Sequence, residues 1–306
     1  MRGTDRLRSL DRLLPATGPL PDPPPGDRVV RTGDGAAVYH RHRVDPEAFE
    51  ASWSALDQHQ LLNARLTGKD PARAMDALLT AWERQIAEAE PSGVGADAEA
   101  VFPWPSRDTA VTPVLLDHGL RPKTIVAVRP AGRRTPVPPA AEGVLVRPMT
   151  PDDEEAAVRL WLEELNWDAQ FGSCVVRPSS ERNVRRRLAE VLRRERPWAW
   201  MAEAGRRRRS ETVGMLAVEP PESTGWVADY TSARRPGYIT HLCVTADHRG
   251  AGVGAALANT AHAALADTGQ TATLLHYAAL NPLSGPFWHR CGYRPLWSTW
   301  SRRLPR

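Results

Sequence analysis

Three glycines in five positions, Gly250, Gly252 and Gly254, separate an apolar run ending at Val244 from an alanine-rich run that starts near Ala255. The first run has the composition of a strand and the second that of a helix, so the segment reads as strand, glycine turn, helix. Such a turn presents unpaired backbone N–H groups and the positive end of a helix dipole, and a phosphate or pyrophosphate neutralises both. The glycines remove the Cβ atoms that would hold phosphate oxygens away from the backbone. The segment is therefore expected to belong to an α/β unit, with the turn either an anion site or a tight connection that holds no ligand.

Three classes of phosphate loop compete for the assignment. A dinucleotide fingerprint counted from Gly250 requires its third glycine where Ala255 stands, and it belongs after the first strand of a parallel sheet. A Walker loop requires a lysine after its second glycine, yet the only lysines are Lys69 and Lys123. The turn that remains is R/Q-x-x-G-x-G/A, matched by Arg249, Gly252 and Gly254, whose ligand is the pyrophosphate of coenzyme A.

The elements around the turn come in a definite order. Val144 to Arg147 is strand-like, Thr150 to Glu155 caps a helix that runs to Leu165, and Ser179 opens a second helix reaching Arg194. Strand-like runs follow at Trp198 to Ala204, Val213 to Glu219 and Tyr238 to Val244. Then come the helix Ala255 to Asp267, a strand at Thr273 to Tyr277, a helix at Asn281 to Arg290 and a last ribbon at Tyr293 to Arg302. The expected fold class is α/β (α+β): a mixed sheet flanked by helices.

The stretch Thr240 to Gly254 resembles motif A of the GNAT N-acetyltransferases at every spacing, including the strand-ending Val five residues before Arg249. Asn281-Pro282, Phe287-Trp288 and Cys291-Gly292-Tyr293 resemble that family's following helix and terminal Gly-Phe/Tyr pair. The resemblance covers Gly143 to Arg306. It implies acetyl-CoA as co-substrate, with the pyrophosphate on Arg249, Gly250, Ala251, Gly252, Val253, Gly254 and Ala255. It also implies that the pantetheine arm lies along the main chain of Leu242, Cys243 and Val244, between parting strands. The Val244 N–H is then placed to stabilise an oxyanion, and Asn281 and Ser284 face the cofactor arm, although Asn281 before Pro282 is also an ordinary helix cap.

At two positions the chain departs from that family. Many relatives carry Glu six residues before the strand-ending Val, and Tyr four residues before the Gly of the Gly-Phe/Tyr pair. Here those positions hold Tyr238 and Trp288. Attack on a thioester needs a neutral amine, so a base or a proton-relaying water must act. Tyr238 and His241 are the catalytic candidates, with Glu219 and Asp229 behind them. In a regular strand Tyr238 and His241, three residues apart, point to opposite faces.

His118-Gly119-Leu120-Arg121-Pro122 recurs 173 residues later as Cys291-Gly292-Tyr293-Arg294-Pro295, and the same offset places Asp108 on Asn281. This predicts a degenerate GNAT-like first half. The expected domains are 1–139, with a disordered Pro-rich arm at Leu13 to Asp27 and a Pro-rich linker at Pro130 to Pro139, and 140–306, the transferase. The first half lacks the glycine turn and is expected to bind no cofactor.

The remaining composition limits partners. Net charge is +4, but 38 of the 40 basic residues are arginine, spread among 36 acidic ones, so nucleic acid is not expected as a partner. The arginine run Arg206 to Arg209 reads as a hairpin loop. The three cysteines show no metal or disulfide spacing, and no apolar run is long enough for a membrane. A cytoplasmic protein is expected, acting as a monomer on a small-molecule or peptide amine. The loops Asn166 to Cys174, Pro220 to Pro236 and Trp297 to Trp300 are expected at the acceptor cleft, where Trp161, Trp167, Trp226, Trp297 and Trp300 form either an aromatic wall or plain core. The alternative function is a pseudoenzyme that binds acetyl-CoA as a sensor or scaffold.

Overall fold

The computed structural model describes residues 6–90, 94–95, 97–132, 143–206 and 209–304. The expected linker at 130–139 lies mostly outside the described residues, as do 207 and 208 of the arginine loop. Among the described residues there are eleven strands in one sheet. The first half supplies β1 (Arg28–Arg31), β2 (Gly35–Arg43), β3 (Asp57–Leu66), β4 (Ala98–Pro105) and β5 (Arg121–Pro130). The second half supplies β6 (Val144–Pro148), β7 (Ala199–Arg206), β8 (Arg209–Glu219), β9 (Pro236–Val244), β10 (Ala272–Ala278) and β11 (Arg294–Arg303). The helices are α1 (Arg6–Leu10), α2 (Pro71–Ala87), α3 (Thr112–Asp117), α4 (Glu154–Ala169), α5 (Ser180–Leu192), α6 (Val253–Ala266) and α7 (Ser284–Arg290). The mixed α/β architecture and the element order expected for the second half are both present.

Sheet order is β1-β2-β3-β4-β11-β5-β10-β9-β8-β7-β6. The two halves exchange their last strands: β5 lies antiparallel to β10, and β11 lies antiparallel to β4, with β5 and β11 paired at the centre. Val126, Ala127 and Val128 of β5 are almost wholly buried by this arrangement. The parallel pairs are β3 with β4 and β9 with β10.

The repeat read from the sequence extends to the backbone. His118, Gly119 and Leu120 donate their N–H groups to Val114, Leu116 and Leu115, and Cys291, Gly292 and Tyr293 donate theirs to Phe287, His289 and Trp288, at the same 173-residue offset. Gly119 and Gly292 both take left-handed φ, +74° and +89°, to make that exit from a short helix.

Each face of the sheet is covered by an amphipathic stripe. Leu257, Ala258, Ala261 and Leu265 of α6 pack with Val213, Ile239 and Leu275 on one face. On the other, Val158 and Trp161 of α4 and Val184 and Leu188 of α5 pack with Met201, Met215 and Cys243. The short turn Pro151–Asp153 that leads into α4 opens on a capping box between Thr150 and Asp153, in keeping with the cap its sequence suggested.

The segment Leu13 to Asp27 forms no helix or strand, but its first two residues and the chain just before it are docked. Leu7 and Leu14 are buried with Val126, Val128, Leu274 and Leu296, Asp11 pairs with Arg294 at 2.8 Å, and the Leu13 carbonyl accepts from the Ser232 N–H. Composition suggested disorder because prolines forbid helix and strand pairing. Leu14, at the start of that segment, and Leu7, before it, dock over the central strands, where burial of each stabilises by roughly 1.5–3 kcal/mol.

Candidate active site

Strands β9 and β10 pair only from Pro236↔Ala272 to Ile239↔Leu275. Beyond that, β9 continues along β8 to Val244 while β10 continues along β5 to Ala278, so the two part. Their divergence opens a cleft of about 610 Å³ that runs to the N-terminus of α6. Every residue expected to hold the cofactor lines it except Ala251 and Val253: Leu242, Cys243, Val244, Arg249, Gly250, Gly252, Gly254, Ala255, Asn281 and Ser284. The exposed Ala251 points away, and Val253 is buried in the core.

The turn has the geometry its glycines allow. Gly250 and Gly252 have φ of +80° and +82°, and Gly252 caps α6 with no side chain bonded to the first-turn N–H groups. A Cβ on Gly254 would stand 3.3 Å from the Phe287 ring, so this glycine lets the helix approach α7. Arg249 braces the turn: its Nε donates to the Val244 carbonyl at 3.1 Å, and its guanidinium lies 4.7 Å over the Trp167 ring. An uncapped helix N-terminus, a Cβ-free cradle and parted strands fit a pyrophosphate with an extended arm.

The catalytic candidates are placed differently from expectation. Register slips between Ala217↔His241 and Val218↔Ile239, so Thr240 is the extra residue of a β-bulge, and its Oγ1 donates to the Ala217 carbonyl. The bulge inverts the alternation. Ile239 and Leu242 face α6, whereas Tyr238 and His241 both face away from it. The expectation of opposite faces is thereby corrected.

Tyr238 does not line the cleft. Its hydroxyl lies 2.7 Å from His276 Nδ1, and burial, with Tyr230 and Glu219 adding to it, pushes the phenol far up. His276 is held neutral by burial, down to about 4. His241 stacks on Trp161 at 4.7 Å, and its Nδ1 is 3.2 Å from Glu164 Oε2. Glu219 accepts from Arg187 at 2.5 Å and from the Trp226 indole at 2.8 Å, and Asp229 is exposed, so neither is a base at the cleft.

Sequence reasoning missed Asp168. It sits near the end of α4, lines the cleft, and accepts from Asn281 Nδ2 at 2.7 Å. Burial first, then Glu164, raises its carboxyl to about 7, against the opposing hydrogen bond from Asn281. Asn281 also accepts from the N–H groups of Leu283 and Ser284, so it both caps the turn before α7 and aims Asp168. The signal available was the loop Asn166 to Cys174, which contains Asp168, but its partner is 113 residues away.

The tryptophans do not form one wall. Trp167 lines the cleft, Trp226 meets Tyr238 edge-to-face at 4.6 Å, Trp161 backs His241, Trp297 bonds the Tyr230 carbonyl, and Trp300 belongs to the first half's core.

The first half lacks these features. Helix α2 is capped by Asp70, which accepts from the Arg73 N–H and puts a carboxylate where a phosphate would bind. Asp108, in the position of Asn281, is paired with Arg6 at 2.6 Å and with the Trp104 indole at 3.2 Å.

Residues 159–293 match the model of the acetyltransferase (GNAT) family. No curated protein matches the chain. Among solved structures, it is similar to a GCN5-related N-acetyltransferase from Sphaerobacter thermophilus, with a TM-score of 0.55 at 15% identity over 89% of this chain and 78% of that one. It is also similar to the glucosamine N-acetyltransferase region of a fungal multi-domain β-N-acetylglucosaminidase, with a TM-score of 0.51 at 12% identity over 88% of this chain and 31% of that one. Residues 159–293 thus resemble a GNAT domain, and the fold is the one those acetyltransferase structures share. No helix among the described residues is long and apolar enough to cross a membrane.

Proposed function

We propose that this chain, whose residues 159–293 resemble a GNAT domain, transfers an acetyl group from acetyl-CoA to an amine by direct attack. The observation that carries the reading is the cleft between β9 and β10 ending on the uncapped N-terminus of α6. Acetyl-CoA supplies an activated acyl carbon whose thiolate leaves readily near neutral pH. The N–H groups of Gly250 and of Gly252 to Ala255 bind the pyrophosphate, with the dipole of α6 behind them. The main chain of Leu242 to Val244 is free of β10 and positions the pantetheine arm as an added strand. The Val244 N–H donates to the carbonyl oxygen as negative charge develops on it, and Trp288 and Phe287 exclude water from the far wall.

The chain is read as two GNAT-like units, 1–139 and 140–306, that share one sheet through exchanged strands and carry one cofactor site, in the second unit. Asp70 at the head of α2 and Arg6 on Asp108 support a single site. The test is a screen of acetyl transfer, by free-thiol release and product mass, over aminoglycosides, polyamines, amino acids and peptide N-termini. Acetylation of any member above the uncatalysed rate supports the reading. Tight acetyl-CoA binding with no transfer to any member overturns it in favour of a binding protein.

A further inference from the structure

Resting on the acyl-transfer reading above, we propose that Asp168 is the catalytic base, and that the acceptor arrives as a primary ammonium ion whose proton Asp168 removes. Where β9 and β10 part, the cleft meets a second, small pocket of about 50 Å³, bounded in part by Glu164, Asp168, Thr240, His241 and His276. Asp168 and Glu164 line both spaces, so they stand where the acyl end of a bound arm meets its acceptor. No Lys or Arg lines the small pocket, and burial keeps His276 neutral, so its charge balance selects a cation.

Asp168 is aimed as well as placed. Asn281 donates to Oδ1 at 2.7 Å and is itself fixed by two backbone N–H groups, while no described residue pairs with Oδ2. Beside it, His241 is 98% buried with Nε2 lacking any partner, although Nδ1 faces Glu164. A buried nitrogen without a partner is costly, and a polar group on the acceptor would relieve it.

The charged and titratable groups around Asp168 come from three elements and a loop. Glu164, one turn earlier on α4, raises its proton affinity, and His241 on β9 lowers it. The nearby thiols of Cys174 and Cys243 are pushed up by burial and stay protonated, Cys174 to about 12. Lys123 of β5 is paired with Glu99 at 2.6 Å. The outcome is a carboxylate tuned to about 7, the range in which a base works at neutral pH. Other candidates are engaged: Tyr238 with His276, and Glu219 with Arg187 and Trp226.

The step balances without a further reactant. The Asp168 carboxylate takes one proton from R–NH3+, and the freed lone pair forms the N–C bond to the thioester carbon. The C–S bond breaks with its electron pair on sulfur, and the second nitrogen proton passes to that thiolate. The products are the amide, free thiol and protonated Asp168, which returns its proton to solvent.

The test uses the full chain as wild type, Asp168→Asn and Asp168→Glu. In protein labelled with carboxyl-13C aspartate and saturated with coenzyme A, one carboxyl should titrate between about pH 6 and 8 and be absent from Asp168→Asn. With any amine acetylated by the wild type, Asp168→Asn should lower kcat by at least about 100-fold, with acetyl-CoA affinity by calorimetry kept within about threefold and partial rescue by Asp168→Glu. An aspartate spectrum with no such titration overturns the proposal, as does unchanged kcat in Asp168→Asn. A wild-type chain that binds no acetyl-CoA removes the acyl-transfer reading itself, whereas binding with no neutral-range aspartate removes only the role of Asp168.

Discussion

Replacing Asp168 with Asn removes a buried carboxyl, and the protein should become more stable in alkali for losing it. The folded carboxyl titrates at about 7, raised first by burial and then by Glu164, against 3.8 in its ordinary state. Because the folded state binds this proton more tightly, the stability it contributes is fully present below the unfolded pKa and is lost as pH rises through the folded one. Some three pH units at about 1.4 kcal/mol each make the ionised group at pH 8 cost about 4 kcal/mol. Asn avoids that cost but gives up a carboxylate hydrogen bond with Asn281, worth about 1–2 kcal/mol, leaving a net gain of about 2–3 kcal/mol. At pH 5 most of the penalty has gone, and the difference between the two proteins should have moved by about 3 kcal/mol toward the wild type. With an unfolding entropy of about 2 cal/mol/K per residue over the whole chain, that change is about 4–5 °C in Tm. Calorimetric melts of both proteins at pH 5 and pH 8, at one ionic strength, measure it. An Asp168→Asn variant destabilised equally at both pH values would refute the reasoning, since the carboxyl would then be ionised throughout.

Three other outcomes are expected. Gly252→Leu forces a side chain into the left-handed region, at about 1–2 kcal/mol, and fills the phosphate cradle, so acetyl-CoA affinity measured by calorimetry should fall more than about tenfold with an unchanged far-UV spectrum. Residues 140–306 expressed alone lack β5, which lies between β10 and β11; the fragment should be unfolded by circular dichroism and recover structure when co-expressed with residues 1–139. A folded, monodisperse fragment would contradict the strand exchange. His241→Ala should lower turnover less than about a thousandfold and leave acetyl-CoA affinity intact, while the lost packing on Trp161 costs about 2–4 kcal/mol in a denaturant melt.

What the sequence discloses and what it hides have physical causes. The glycine turn was legible because backbone geometry at Gly250 and Gly252 demands that residue, and local geometry is written locally. The order of strands and helices in the second half was legible from periodicity for the same reason. The repeat at 173 residues marked the short helix, the left-handed glycine and the final strand of each half, but not that β5 and β11 change places. Only β5 is apolar on both faces, at Ile125 to Val128, whereas β11 alternates Leu and Trp with Ser, Thr and Arg, and neither pattern names its neighbour. The facing of Tyr238 and His241 was misjudged because one extra residue at Thr240 inverts the alternation, and a bulge at Thr leaves no compositional mark. Asp168 was invisible as a base because its proton affinity is set by burial, by Glu164 and by Asn281, which only the fold assembles.

Calorimetric titration of the full chain with acetyl-CoA, beside the same titration of Arg249→Glu, tests the central claim most directly. The account predicts one site per chain, lost in the variant, because a carboxylate at 249 replaces the guanidinium stacked on Trp167 and repels the pyrophosphate. Absence of binding to the wild type, two sites per chain, or full affinity in Arg249→Glu would contradict it.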